Sequence, residues 1–185
     1  MSMGVARGAR ALALACAAAL AGCAADRITG VREAAALPAA PAAAGAAGCP
    51  FAIEAVHDAR GEVDLGMLGP TRVDGRHFVR WFTDGIAATS RATSGPAPVR
   101  VRIEIAKAYI HGLSSMKSAN IVINARISGP DGGTMTRTYR GVDSSMNWSN
   151  SEGEIQEAFE RALQDLFGQL APDIARACAQ AARQG

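Results

Sequence analysis

Two stretches with strict period-two patterning constrain the fold more than anything else in the chain. Val99, Val101, Ile103 and Ile105 alternate with Arg100, Arg102 and Glu104. Ala119, Ile121, Ile123, Ala125 and Ile127 alternate mainly with Asn120, Asn124 and Arg126. Successive side chains of a strand point to opposite faces, so the pattern predicts two half-buried strands of an antiparallel sheet that is wet on one side. Gly129-Pro130-Asp131-Gly132-Gly133 predicts a turn into a further strand, Thr134 to Val142. There Met135 and Tyr139 share one face, and Thr134, Thr136, Thr138 and Arg140 the other.

The remaining elements are read around this sheet. Phe51 to Val56 predicts a first strand with Phe51, Ile53 and Ala55 on one face, followed by a Gly- and Asp-rich loop from His57 to Gly69. Asp74 suits the N-cap of a helix from about Arg76 to Ala92, with Phe78, Phe82 and Ile86 on its apolar side. Ser151-Glu152-Gly153-Glu154 is a capping box, in which the Ser side chain and the Glu carboxylate each satisfy an orphan backbone donor. It opens a helix with an apolar stripe through Ile155, Phe159, Leu163, Leu166 and Leu170, and Pro172 is expected to break or kink it before a short continuation through Ile174 and Cys178. The expected fold is a single α+β domain of order β-α-β-β-β-α, an antiparallel-rich four-stranded sheet with two helices on one face.

The N-terminus carries an address. Arg7 and Arg10 precede an apolar run from Ala11 to Ala21, too short for a permanent membrane span, and small residues follow. This reads as a secretory signal peptide over residues 1–22. Its end, Leu20-Ala21-Gly22-Cys23, resembles the bacterial lipobox, which implies lipidation of Cys23 and cleavage before it. With Ala24 rather than Asp after the cysteine, the implied destination is the inner leaflet of the outer membrane, with the domain facing the periplasm. Residues 23–48 then read as the lipidated Cys and an Ala/Pro-rich tether, reaching at most about 80–90 Å, and residues 49–185 as the periplasmic domain. Losing Arg7 and Arg10 takes the 19 basic residues to 17, against 17 acidic ones, so the mature chain is formally neutral. That removes the electrostatic basis for nucleic-acid binding. Cys16 leaves with the signal, and Cys49 and Cys178 remain at the two ends of the domain. In an oxidising compartment they read as a disulfide, with two buried free thiols as the alternative.

Val99–Tyr109, Ser118–Ile127, the Met135-Thr136-Arg137-Thr138-Tyr139-Arg140 segment and the Ser-rich approach to the last helix together resemble the YajG family of proteobacterial lipoproteins. The resemblance implies a periplasmic domain on a lipid anchor, and no catalytic motif to carry over.

No constellation in the sequence announces chemistry. His57, His77 and His111 stand outside any Gly-x-Ser-x-Gly context, and no Cys-x-x-Cys or His-Glu-x-x-His spacing occurs. The expectation is a non-enzyme without metal or cofactor: a binding or accessory module that docks on an envelope protein partner. The alternative is a small-ligand or glycan binder with a pocket between the sheet and the His57–Gly69 loop. The candidate partner-binding surface is the polar sheet face, with Arg100, Arg102, Asn120, Asn124, Arg126, Thr136, Thr138 and Arg140, which also reads as an ordinary solvated face. Arg137 breaks the alternation and is expected to snorkel or to pair with Asp143. Trp148 and the hairpin tip Leu113/Met116 are further contact candidates, although a loop Trp often folds back as a core lid.

Overall fold

The computed structural model describes residues 27–31, 50–89, 92–93 and 95–183. The signal peptide, Cys23, Ala24 and Cys49 lie outside them. Eight strands form one mixed sheet: β1 (Arg27–Gly30), β2 (Phe51–Asp58), β3 (Asp64–Leu68), β4 (Thr71–Asp74), β5 (Ala92–Thr93), β6 (Val99–Leu113), β7 (Met116–Ser128) and β8 (Thr134–Met146). Among the described residues two helices, α1 (Phe78–Thr89) and α2 (Glu152–Ala181), pack with this sheet.

The long meander is as the alternation requires. β6, β7 and β8 pair antiparallel along their lengths, from Arg100↔Ser128 to Leu113↔Met116 and from Met116↔Met146 to Ser128↔Thr134. The expected four-stranded antiparallel sheet is overturned by what joins the other edge of β6. β2 pairs with its first half in parallel, Phe51↔Val99 to Asp58↔Ile105, and β3 with its second half in parallel, Gly66↔Ile110 and Met67↔His111. The reason is the connection: α1 lies between β2 and β6, and a helical crossover returns the chain in the same direction. β4 folds back antiparallel on β3, while β1 joins β4 and β5 joins β2 in parallel. β1 therefore stands inside the segment read as tether, with Val31 buried at 4% exposure beyond it.

Bulges also correct the face assignments. The register shifts between Ile53 and Ala55, so Ala55 is exposed and Val56 turns toward the core, while Glu54 reaches Arg100 and Arg102. A second shift, between Ile105 and Lys107, keeps Ala108 and Ile110 inward.

Both helices bury their stripes against the inner face. Phe78, Phe82 and Ile86 are buried as expected, and so is Trp81. The Phe78 and Trp81 rings meet Phe159 of α2 edge-on at 5.8 and 6.2 Å. The capping box is present. Pro172 neither breaks nor ends α2, which runs on to Ala181. α2 crosses β8 at Gly141, where a Cβ would lie 1.9 Å from the Ala162 carbonyl oxygen. Farther along, buried Asp173 accepts from Tyr139 Oη at 2.6 Å and pairs with Arg137 at 3.1 Å and Arg176 at 2.9 Å. Arg137 thus finds Asp173 rather than Asp143. Burial opposes charge on Asp173, but the Tyr139 and arginine contacts outweigh it and lower its pKa. Burial, then Asp173, push the Tyr139 phenol up. Cys178 is buried. Among the described residues no helix is long and apolar enough to cross a membrane.

Candidate functional site

The register brings all eight residues of the expected partner-binding surface onto the strands β6, β7 and β8, where they largely satisfy one another. Glu54 Oε1 accepts from Arg100 at 3.1 Å and Glu54 Oε2 from Arg102 at 2.7 Å. The Arg102 bond, followed by Arg100, lowers the Glu54 pKa. Asn124 donates to Glu104 at 3.0 Å and accepts from Thr138 at 2.7 Å. Arg140 donates to the buried Asn120, which donates in turn to Ser118. Thr136 sits beside Arg126 in register, and Arg126 faces Arg102. Among the described residues neither Arg126 nor Arg140 has an ion pair, and the Arg140 guanidinium bonds only the neutral Asn120 side chain, so the face keeps cations to offer.

The His57–Gly69 segment, beside which a pocket is expected, folds in part as β3 against β6, with Leu65 and Leu68 fully buried. In it, Arg60 grips Asp58 at 2.7 and 2.8 Å and lies 4.8 Å over the Phe78 ring. His57 lies on β2, His77 just ahead of α1, and His111 on β6, stacked on Tyr109 at 5.8 Å.

A cavity of about 450 Å³ lies elsewhere, between β1, the start of α1 and the start of α2. Trp81 and Thr29 are among the residues that line it, and the indole N–H of one and the hydroxyl of the other are buried without a hydrogen-bond partner among the described residues. β1 brings Thr29 opposite Val73 on β4, and the Phe78 and Phe159 contacts fix the Trp81 ring. The rim carries two ion pairs, Asp74 with Arg76 at 2.6 Å and Asp84 with Arg80 at 3.6 Å, with Glu152 beside them. Its arginine's hydrogen bond lowers the Asp74 pKa. The cavity presents guanidinium donors and carboxylate acceptors, and two of its lining residues carry the buried, unpartnered groups. Among the described residues no cluster of three or more His, Cys, Asp or Glu could hold a metal ion. Sequence reasoning missed this site because Trp81 reads as core and Thr29 as tether.

No family model matches the chain, and no curated protein matches it. Solved structures do. A DUF330-family protein of Xanthomonas campestris is 13% identical with a TM-score of 0.49, over 85% of this chain and 95% of that one. A candidate lipoprotein of Caulobacter crescentus is 14% identical with a TM-score of 0.40, over 57% and 83%. A lipoprotein of Neisseria meningitidis is 12% identical with a TM-score of 0.32, over 70% and 99%. None of the three is described as a YajG protein. Likenesses this distant say nothing of activity or partner.

Proposed function

We propose that the chain is an outer-membrane-anchored, non-catalytic binding module of the cell envelope, and that its binding site is the cavity beside Trp81. The Leu20-Ala21-Gly22-Cys23 ending supports the anchor. The observation that carries the binding role is a cavity of small-molecule size lined by Trp81 and Thr29, two residues whose Nε1 and Oγ1 are buried without a partner among the described residues. Leaving such a group unpaired costs roughly 1–3 kcal/mol, and a ligand that pairs with it recovers much of that. An indole N–H only donates, whereas a hydroxyl both donates and accepts. Together with a rim that mixes guanidinium and carboxylate groups, they suit a hydroxyl-rich ligand such as a sugar unit. The volume lies within the roughly 300–1,000 Å³ range of small-molecule sites.

The chain has two tryptophans, Trp81 and Trp148, so ¹⁵N-indole spectra of the lipidated protein in a sugar-free detergent test the reading directly. Glucose, galactose or N-acetylglucosamine at millimolar concentration should move the Trp81 signal saturably, and Thr29→Val should weaken the binding about tenfold, as for one lost hydrogen bond. A Trp81 signal that ignores every sugar, or moves only with phosphate or acetate, would overturn it. Docking of an acidic envelope protein on the outer sheet face is the second reading, supported by Arg126. Arg126→Glu should then abolish the crosslinks that the face makes in intact cells.

A further inference from the structure

Six large hydrophobic side chains are exposed among the described residues, and five of them gather at one end of the sheet. Leu113, Met116 and Met146 lie side by side in register on β6, β7 and β8, Met67 is paired with His111 on the neighbouring strand, and Trp148 follows β8 at 80% exposure. Only Val63 stands elsewhere. The segments that carry the five, Gly66–Pro70, Gly112–Met116 and Met146–Asn150, contain no charged residue. Lys117 adjoins the tip but is buried, its Nζ donating to the Met146 carbonyl and lying 3.8 Å from Glu154.

Trp148 is held out in the solvent by a rigid loop. Glu154 accepts from the Trp148 and Ser149 amides at 2.9 and 3.0 Å and from the Ser149 hydroxyl at 2.9 Å. The Asn147 amide donates to Ser115 in the β6–β7 turn, and Asn147 and Asn150 bond each other. On the other side the Thr71 hydroxyl donates to the Asn150 carbonyl. The loop therefore bridges the β6–β7 and β3–β4 turns.

The strand directions bring the N-terminus to this same end. β1 runs parallel to β4, and its first residue, Arg27, is in register with Thr71 just past the β3–β4 turn. Only three residues separate Cys23 from Arg27, and the four steps span at most about 14 Å. A lipid on Cys23 therefore holds the apolar end of the sheet, with its three charge-free turn segments, within reach of the bilayer.

We propose that this end is a membrane footing: Leu113, Met116, Met146, Met67 and Trp148 rest in the interfacial zone of the bilayer that holds the anchor. Tryptophan suits that zone, with an apolar body and a polar N–H, and exposed apolar patches of this kind mark surfaces that are covered in use. The absence of charge means that the contact needs no anionic lipid. The proposal rests on the lipidation of Cys23 put forward above, but not on the cavity.

Lipidated protein, wild type and Trp148→Phe, is reconstituted into phosphatidylethanolamine vesicles whose acyl chains are brominated, with and without phosphatidylglycerol. The expected result is strong quenching and a blue shift of the Trp148 emission, alike in both vesicles, and little quenching of the Trp81 emission left in Trp148→Phe. Protein that floats with the vesicles while Trp148 emits unquenched, as in water, would overturn the footing and leave the face to a protein partner. Quenching that requires phosphatidylglycerol would overturn the uncharged mode of contact. Protein that fails to float would remove the anchor on which the proposal depends.

Discussion

Gly141→Ala should be among the most damaging single-methyl changes in the domain. The added Cβ would stand 1.9 Å from the Ala162 carbonyl oxygen, 2.6 Å from Leu166 Cβ and 2.9 Å from the Leu166 nitrogen. Relief to ordinary contact requires α2 to retreat from β8 by about 1.5 Å. Three hydrogen bonds span that crossing: Val142 N to Asp165 at 3.0 Å, Gln169 Nε2 to the Arg140 carbonyl at 2.8 Å, and Tyr139 Oη to Asp173 at 2.6 Å. A retreat of that size breaks some of them, at roughly 0.5–1.5 kcal/mol each and more for bonds to a carboxylate, and overpacking without retreat costs about 1–3 kcal/mol. Either route gives a loss near 3 kcal/mol, a fall in Tm of about 10–15 °C for a domain of this size. Gly168→Ala, in the same helix, is the control. Its Cβ meets nothing within 4 Å, so it should stabilise by about 0.5–1 kcal/mol through helix propensity. Thermal melts followed by circular dichroism decide the matter. If both variants melt within about 2 °C of the wild type, the close crossing at Gly141 is not what sets the spacing of helix and sheet.

Burial pushes the Glu154 carboxyl up, but the amides of Trp148, Ser149 and Ser151 and the Ser149 hydroxyl hold it at about 2, against the ordinary 4.5. A depressed pKa gives stability that is complete above 4.5 and lost as pH falls through 2, here about 2–3 kcal/mol. Glu154→Gln should lower urea midpoints at neutral pH and flatten that acid limb, and an unchanged limb would show that the loop does not depend on the carboxylate. Cys178 is expected to be bonded to Cys49, so denatured, unreduced mature protein should show no free thiol, and Cys49→Ser should lower Tm without releasing the protein from membranes. Two thiols per chain would exclude the pairing. Cys23→Ser should yield unprocessed precursor or soluble protein, while Ala24→Asp should hold the chain in the inner membrane. Wild-type protein fractionating with the inner membrane would refute the outer-membrane address.

What the sequence discloses depends on whether a pattern survives without a partner. The alternation of Val99–Ile105 and Ala119–Ile127 and the Ser151/Glu154 box are local, and each forms where the pattern places it. The β3–β4 hairpin hides because Gly66, at φ +102°, interrupts its alternation: Leu65 and Leu68 are both buried although three residues apart. A glycine is needed there, since a Cβ would lie 2.4 Å from the Ile110 carbonyl oxygen. β1 is four residues long and gains meaning only from β4. The outer-face residues were legible as a set, but their mutual saturation through Glu54, Glu104 and Ser118 was not, since Glu54 enters through a bulge. Trp148 does not fold back as a lid. The charge-free composition of three separate turns was a readable sign of the exposed end, but only the topology shows that those turns meet.

The shared edge of β6 also sets an order of events. β6, β7 and β8 are joined by short turns and pair between near neighbours in sequence, so they can assemble quickly and early. β2 and β3 can add only to a finished β6, across a helix and a longer closed loop, and β1 can add only after β4. The chain therefore closes from its C-terminal half toward its beginning, although the beginning is exported first. If Cys23 is lipidated as proposed, the end that carries the acyl chains is the last part of the molecule to join the sheet.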